Sequence, residues 1–258
     1  MTWHHASHYF TISEHSELRL FLFGEEYVWD ILDHIADFVR AVIKPNVSEA
    51  RAQNNGFIRV PTAIHEGRTY SEGVSYDLKD ASGYFHAYHD GKELENAALL
   101  LPGAFLGDDA VQISPGVLIE SAATVYGPTV LGEGTTVRQG AYVRGSVYTG
   151  TNALIGHATE AKNTIMLNNA KAGHFAYLGD SLIGNDVNLG AGTKLANLKM
   201  SYFPFRFKVM GGETLEVERR KFGAVLGDGV ETGCNSVTNP GTLICQNTKV
   251  MPNASVRA

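Results

Sequence analysis

Long apolar runs, abundant cysteine and a net positive charge are all missing from this 258-residue chain. Without about 18 consecutive apolar residues, no helix of the chain can cross a bilayer. The opening MTWHHASHYF has neither the basic start nor the apolar core of a secretion signal, so a cytoplasmic location is expected. The two cysteines, Cys234 and Cys245, are 11 apart, a spacing that does not stack them in the repeat described below. They are expected to be free thiols in a reducing compartment. A formal charge of −6 and a pI near 5.9 give no general attraction to nucleic acid or to an anionic membrane, and neither is expected as a partner.

What the chain does have is a period. A branched or aliphatic residue returns every sixth position as Ile113, Ile119, Val125, Leu131, Val137 and Val143. The phase continues through Ile155, Ala161 and Leu167, reappears shifted in Ile183, Leu189 and Leu195, and resumes in Leu226, Thr232, Thr238, Ile244 and Val250. Six residues make one flat face of a triangular parallel β-solenoid, so about eighteen make a coil whose inward residues stack on those of the next. The expected fold is therefore mainly β, and function is expected where the repeat breaks.

Residues 1–105 lack the hexad phase and read as a small α+β capping region; residues 106–258 read as the solenoid domain. In the first region Glu26 to Lys44 places Val28, Ile31, Leu32, Ile35, Phe38, Val39 and Val42 at helical spacing, with Pro45 as the stop. The stretch from Asn46 to Asp90 reads as irregular with a few short strands. The expected job of the whole region is to cover the exposed first coil. Residues 199–221 fit no hexad and read as a hairpin-like insertion around Gly211-Gly212. Its aromatics (Tyr202, Phe203, Phe205, Phe207) and the basic run Arg219, Arg220, Lys221 suggest that it projects toward a ligand or a neighbouring subunit.

Arg144 and Lys162 each follow an inward residue and are 18 apart, so they should be neighbours on successive coils. Two cations about 4.8 Å apart repel unless an anion such as phosphate lies between them, although exposed side chains can also splay apart. Where the phase slips, AKAGHFAYLGD lifts His174 beside Tyr177 as a base suited to neutral pH. NLGAGT (Asn188 to Thr193) follows, with small residues that let a ligand approach the backbone. His157 and His174 could stand on adjacent coils, but a catalytic zinc usually takes three protein ligands and no third histidine follows in the solenoid. No metal site is expected.

Arg144, EAKN (Glu160 to Asn163), KAGHFAYLGD (Lys171 to Asp180) and DVNLGAGT (Asp186 to Thr193) stand in an order and spacing that resembles a known enzyme family. It is the hexapeptide-repeat acyltransferases, through the C-terminal left-handed β-helix of the bifunctional glucosamine-1-phosphate acetyltransferase and N-acetylglucosamine-1-phosphate uridyltransferase. GAGTKLANLK (Gly190 to Lys199) and RRKFGAVLGD (Arg219 to Asp228) add a likeness to archaeal-type sugar-phosphate nucleotidyltransferases. The resemblance covers roughly residues 111–258. It implies a left-handed coil, a homotrimer with sites between subunits, and an acetyl-CoA-dependent N-acyltransferase acting on an amino-sugar 1-phosphate such as glucosamine 1-phosphate. By the same resemblance Arg144, Lys162 and Tyr177 hold the sugar phosphate, His174 is the general base, and Asn188 and Asn197 orient the amino sugar and acyl group. The backbone near Ala191, together with Cys234, faces the pantetheine arm, and Arg219 and Arg220 are expected on the acetyl-CoA side.

Departures from the family also carry information. The first hundred residues hold no glycine-rich, basic phosphate loop, so nucleotidyl transfer is not expected. Leu198-Lys199 stands where the bacterial enzymes continue with Tyr-Asp, and Cys234 stands where serine is common. Two alternatives follow: a non-catalytic sugar-phosphate-binding or assembly module of nucleotide-sugar metabolism, and a metal-dependent lyase or hydrolase.

Overall fold

The computed structural model describes residues 3–14, 16–78, 84–200, 203–208 and 214–257. Short parallel strands stack coil upon coil into a left-handed β-helix of about eight turns. Three flat faces result. The first runs through Leu118–Ile119, Thr136–Val137, Leu154–His157, Lys171–His174 and Asn188–Leu189. The second runs through Thr124–Tyr126, Tyr142–Arg144 and the leading ends of Glu160–Met166 and Tyr177–Ile183. The third runs through Val111–Ile113, Thr129–Leu131, Val147–Thr149 and the trailing ends of those two long strands. Inward aliphatics such as Ile119, Val125, Leu131, Val143 and Leu195 form one axial core, with alternate residues pointing out as the pleat requires.

Two details of the period differ from expectation. Met166, not Leu167, enters the axial core, and Leu167 faces outward into a second cluster. The cause lies in the coil length: Tyr142 pairs with Glu160, 18 residues on, whereas Glu160 pairs with Tyr177 and Lys171 with Asn188, each 17 on. The missing residue is at the corner between the second and third faces. In the earlier coil Gly145 and Ser146 both take positive φ there (91° and 53°), whereas the next two coils turn on Asn163 (46°) and Asp180 (51°). A short amide or carboxylate side chain tolerates this left-handed conformation better than most, which lets the chain turn with one residue fewer.

The parallel stack begins ahead of residue 106, because Ala98–Leu100 already pairs in parallel with Leu118–Ile119. Residues preceding it divide their work. Val47, Ala50, Ile58 and Ile64 join the axial core. Helices α1 (Glu17–Phe23) and α2 (Ile31–Val42) do something else: they sheathe the outside of the third face. Ile31, Leu32, Ile35 and Val39 of α2 bury against Val130, Ile165, Leu182 and Val225, and Phe38 stacks on Phe21 at 4.2 Å.

The insertion forms the expected antiparallel pair, Phe205–Lys208 with Thr214–Val217; its expected turn at Gly211-Gly212, and Tyr202, lie outside the described residues. Its two described strands lie against the sheath rather than projecting, while Phe203 is exposed. Phe205 and Phe207 are buried, and Phe207 stacks on Trp29 at 4.8 Å. The physical reason is the apolar outer surface of the third face, which needs cover that α1 and α2 supply only in part.

Candidate functional site

The corner between the second and third faces is where the repeat breaks three times: at Asn163, at Asp180, and at the insertion, which leaves after Asn197 and returns at Phe222 and Gly223. The return is pinned by Phe222 N donating to Asn197 O (2.9 Å) and Gly223 N to Asp180 O (2.8 Å). Asp180 is the hub. The residue is 5% exposed, and its carboxylate accepts from Lys162 Nζ (3.2 Å to each oxygen), from Asn163 Nδ2 (3.1 Å) and from Asn197 Nδ2. A buried carboxylate is tolerated only with this kind of charge-assisted pairing. Asn163 Nδ2 also reaches Leu32 O of α2 (3.1 Å), so the helical sheath is tied to the same point.

Tyr177 joins the cluster through a hydrogen bond to Asn197, and burial, reinforced by the nearby Glu160 and Asp180 carboxylates, pushes its phenol above the usual range. Gly179 makes this approach possible. A Cβ there would stand 2.5 Å from Tyr177 Oη and 2.7 Å from Asn197 Nδ2. Arg144 is one coil earlier, bonded to Glu160 Oε1 (2.6 Å) and lying over the Tyr142 ring. Arg144 and Lys162 therefore each have a carboxylate of their own, and no bound anion is needed to relieve repulsion between them.

His174, Ala191 and Cys234 occupy a different place, the edge between the first and second faces. They are in register: His157 pairs with His174, Gly192 N donates to His174 O (3.1 Å), and Asn235 N donates to Ala191 O (2.8 Å). The His174 ring is exposed and has no side-chain hydrogen-bond partner among the described residues. Exposed Phe175, with φ 35°, packs on Gly192, where an added Cβ would meet its ring at 3.0 Å. Asn188 is exposed on the first face beside Lys171. Tyr177 links the two groups, opening the second-face strand three residues after His174.

Arg219 and Arg220 lie far from Cys234, at the second-to-third corner. Arg219 is 7% exposed, donates to Trp29 O and pairs with Asp33, so it clamps the insertion to the sheath rather than offering a free cation. Arg220 and Lys221 are exposed and border a cavity of about 370 Å3 that also touches Asn163 and Asp180. Cys234 and Cys245 are both free and exposed, with Cys245 Sγ 3.6 Å from His8 Nε2.

Reasoning from sequence missed Asp180 and Asn163 as organising residues, yet a signal was present. The positive-φ corner ladder Gly134, Asn152, Asn169, Asp186 steps by 18, then 17, then 17 residues, which marks the short coils.

Several curated proteins are similar to this chain. The bifunctional protein GlmU of Methanococcus vannielii is 36% identical over 116 residues, 45% of this chain and 28% of that protein. The bifunctional sugar-1-phosphate nucleotidylyltransferase/acetyltransferase of Sulfurisphaera tokodaii is 38% identical over 102 residues, 40% of this chain and 25% of that protein. The bifunctional protein GlmU of Nostoc is 27% identical over a longer alignment, 64% of this chain and 41% of that protein. The chain thus spans a quarter to two fifths of the length of these relatives. Residues 125–258, more than half of the chain, match the family described as the GMPPB C-terminal domain, and the chain belongs to that family.

Proposed function

We propose that the protein is an acetyl-CoA-dependent N-acyltransferase whose acceptor is an amino-sugar 1-phosphate such as glucosamine 1-phosphate. The observation that carries this reading is the coincidence of the repeat breaks with the chemistry. Lys162, Tyr177 and Asn197 converge on Asp180 at the two short coils, while His174, Ala191 and Cys234 stack along the edge three residues before Tyr177. Similarity to proteins named as acetyltransferases supports it.

In this reading the acceptor amine attacks the thioester carbonyl, a C–N bond forms, and His174 takes the amine proton. The Ala191 backbone N–H stabilises the tetrahedral oxyanion, and the sulfur leaves as the thiolate and recovers the proton from His174. Lys162 and Arg144 hold the phosphate by exchanging part of their carboxylate pairing for phosphate oxygens. Since the two groups lie at opposite ends of the second face, a second copy of the chain in a homotrimer is proposed as the opposing wall. Nucleotidyl transfer is not part of the proposal. The test is calorimetric titration of the purified chain with acetyl-CoA, alone and with glucosamine 1-phosphate. Saturable binding of both, with the sugar phosphate weakened in Lys162→Ala, is expected; absence of acetyl-CoA binding sinks the reading.

The second reading is a sugar-phosphate-binding or assembly module without catalysis. The full carboxylate pairing of Arg144 and Lys162 within the chain favours it. It is the outcome if sugar phosphate binds and acetyl-CoA does not.

A further inference from the structure

A second cavity lies away from the Asp180 corner. It has a volume of about 1050 Å3 and lies between the first face and the small antiparallel sheet Val74–Leu78, Phe85–His89, Lys92–Glu93. That sheet is held by two small clusters: Val74, Tyr76 and Phe85 pack on Leu99, Leu101 and Leu118, and Ala87 packs with Ala63 and Ala97. It overhangs the later coils as far as Lys171 and Asp186 and leaves the cleft beneath.

The lining limits what can bind. Tyr84 and Phe85 form an aromatic wall, with Tyr84 58% exposed, and Leu154 gives the floor an apolar patch. Arg138 and Lys171 supply donors; Glu93, Glu95, Glu133 and Asp186 supply acceptors. His86 Nδ1 lies 2.5 Å from Glu93 Oε1 and Asn169 Nδ2 donates to Asp186 Oδ1 (2.9 Å), so part of the acid is already engaged. A wholly apolar ligand would strip water from these charges with nothing in return. A nucleotide or other polyphosphate would bring its charge against four carboxylates for two cations. Hydroxyl groups both donate and accept, so they satisfy both signs at once, and the apolar face of a sugar ring suits an aromatic wall. The volume is at the upper end of the range for small-molecule sites, enough for about two or three sugar rings.

We infer that this cleft binds an uncharged oligosaccharide, with Tyr84 as the stacking platform and Lys171 and Glu133 as hydrogen-bonding partners. The inference goes beyond acyl transfer and does not rest on it. It also gives residues 84–97 a job that capping alone does not require.

The test is a saturation-transfer NMR titration of the full chain with maltotriose, cellotriose and tri-N-acetylchitotriose, with uridine diphosphate as a charged competitor. At least one trisaccharide should saturate with a Kd on the order of 1 mM. Tyr84→Ala and Glu133→Gln should each weaken it by about fivefold or more, the size of one lost stacking or hydrogen-bonding contact. Thermal midpoint and any acetyl-CoA-dependent thiol release should stay unchanged in Tyr84→Ala, and uridine diphosphate should not displace the sugar. Failure of all three sugars to saturate, indifference of binding to both substitutions, or displacement by uridine diphosphate would each overturn the inference.

Discussion

The coils from Val111 to Thr149 and those from Leu154 to Asn197 share one architecture and differ by a single residue per turn. In the earlier coils the second-to-third corner is made by two residues, Gly127-Pro128 and then Gly145-Ser146, and the outward second face carries exposed Tyr126 and Tyr142. In the later coils one residue makes the corner, and its side chain, Asn163 or Asp180, is held among polar partners instead of facing water. A one-residue contraction thus changes a plain corner into a polar hub. The same corner accepts the insertion and binds the helical sheath, so the departure from regularity concentrates both polar groups and tertiary ties.

If the later coils are the active centre, His174→Ala should cost the largest factor. A loss of about 10²- to 10⁴-fold in turnover is expected for a general base, with acetyl-CoA affinity largely kept. Asp180→Ala should follow, because it strands the partly buried Lys162 ammonium and removes acceptors from two amides; about 3 kcal/mol of stability should be lost in denaturant unfolding, with KM for the sugar phosphate raised. Arg219→Ala should loosen the insertion from the sheath and cost about 1–3 kcal/mol, most of it the lost bond to Trp29 O, because Asp33 is largely exposed. Unfolding should show this with no change in acetyl-CoA binding.

Alkaline pH gives a smaller and graded effect. Burial raises the phenol pKa values of Tyr9, Tyr148 and Tyr177. The unfolded chain releases these protons near the ordinary value of about 10 and the native one does so later, so their contribution is full below pH 10 and fades as pH rises above it. Thermal midpoints measured from pH 8 to 11 should fall across that window, less steeply in Tyr9→Phe. Smallest of all, Tyr142→Ser on the regular coils should change stability by about 0.5 kcal/mol or less, since the ring is exposed. A loss there comparable to Asp180→Ala would erase the distinction between the two regions.

Much of this contrast was legible before any coordinates. The hexad from Ile113 to Val143 fixes the inward residues of the regular coils, and every one is in the axial core. The break was visible as a phase slip, but its position was not: Leu167 and Met166 are equally apolar, and only the corner geometry decides which of them points in. Asp180 stayed hidden because Asn and Asp also fill ordinary corners such as Asn152, Asn169 and Asn247, where no comparable hub forms. The destination of the insertion was illegible for a different reason. Its aromatics suit a partner surface as well as they suit the outer third face, and periodicity inside the solenoid says nothing of what covers it.

The most direct test is thiol release from acetyl-CoA with glucosamine 1-phosphate as acceptor, measured side by side for the unmodified chain, His174→Ala, Lys162→Ala and Tyr142→Ser. The account predicts release that needs the sugar phosphate, vanishes in His174→Ala, shows a raised KM in Lys162→Ala and changes at most slightly in Tyr142→Ser, whose exposed ring only backs Arg144. Release that survives His174→Ala at full rate, or that responds to Tyr142 as strongly as to Lys162, would contradict it.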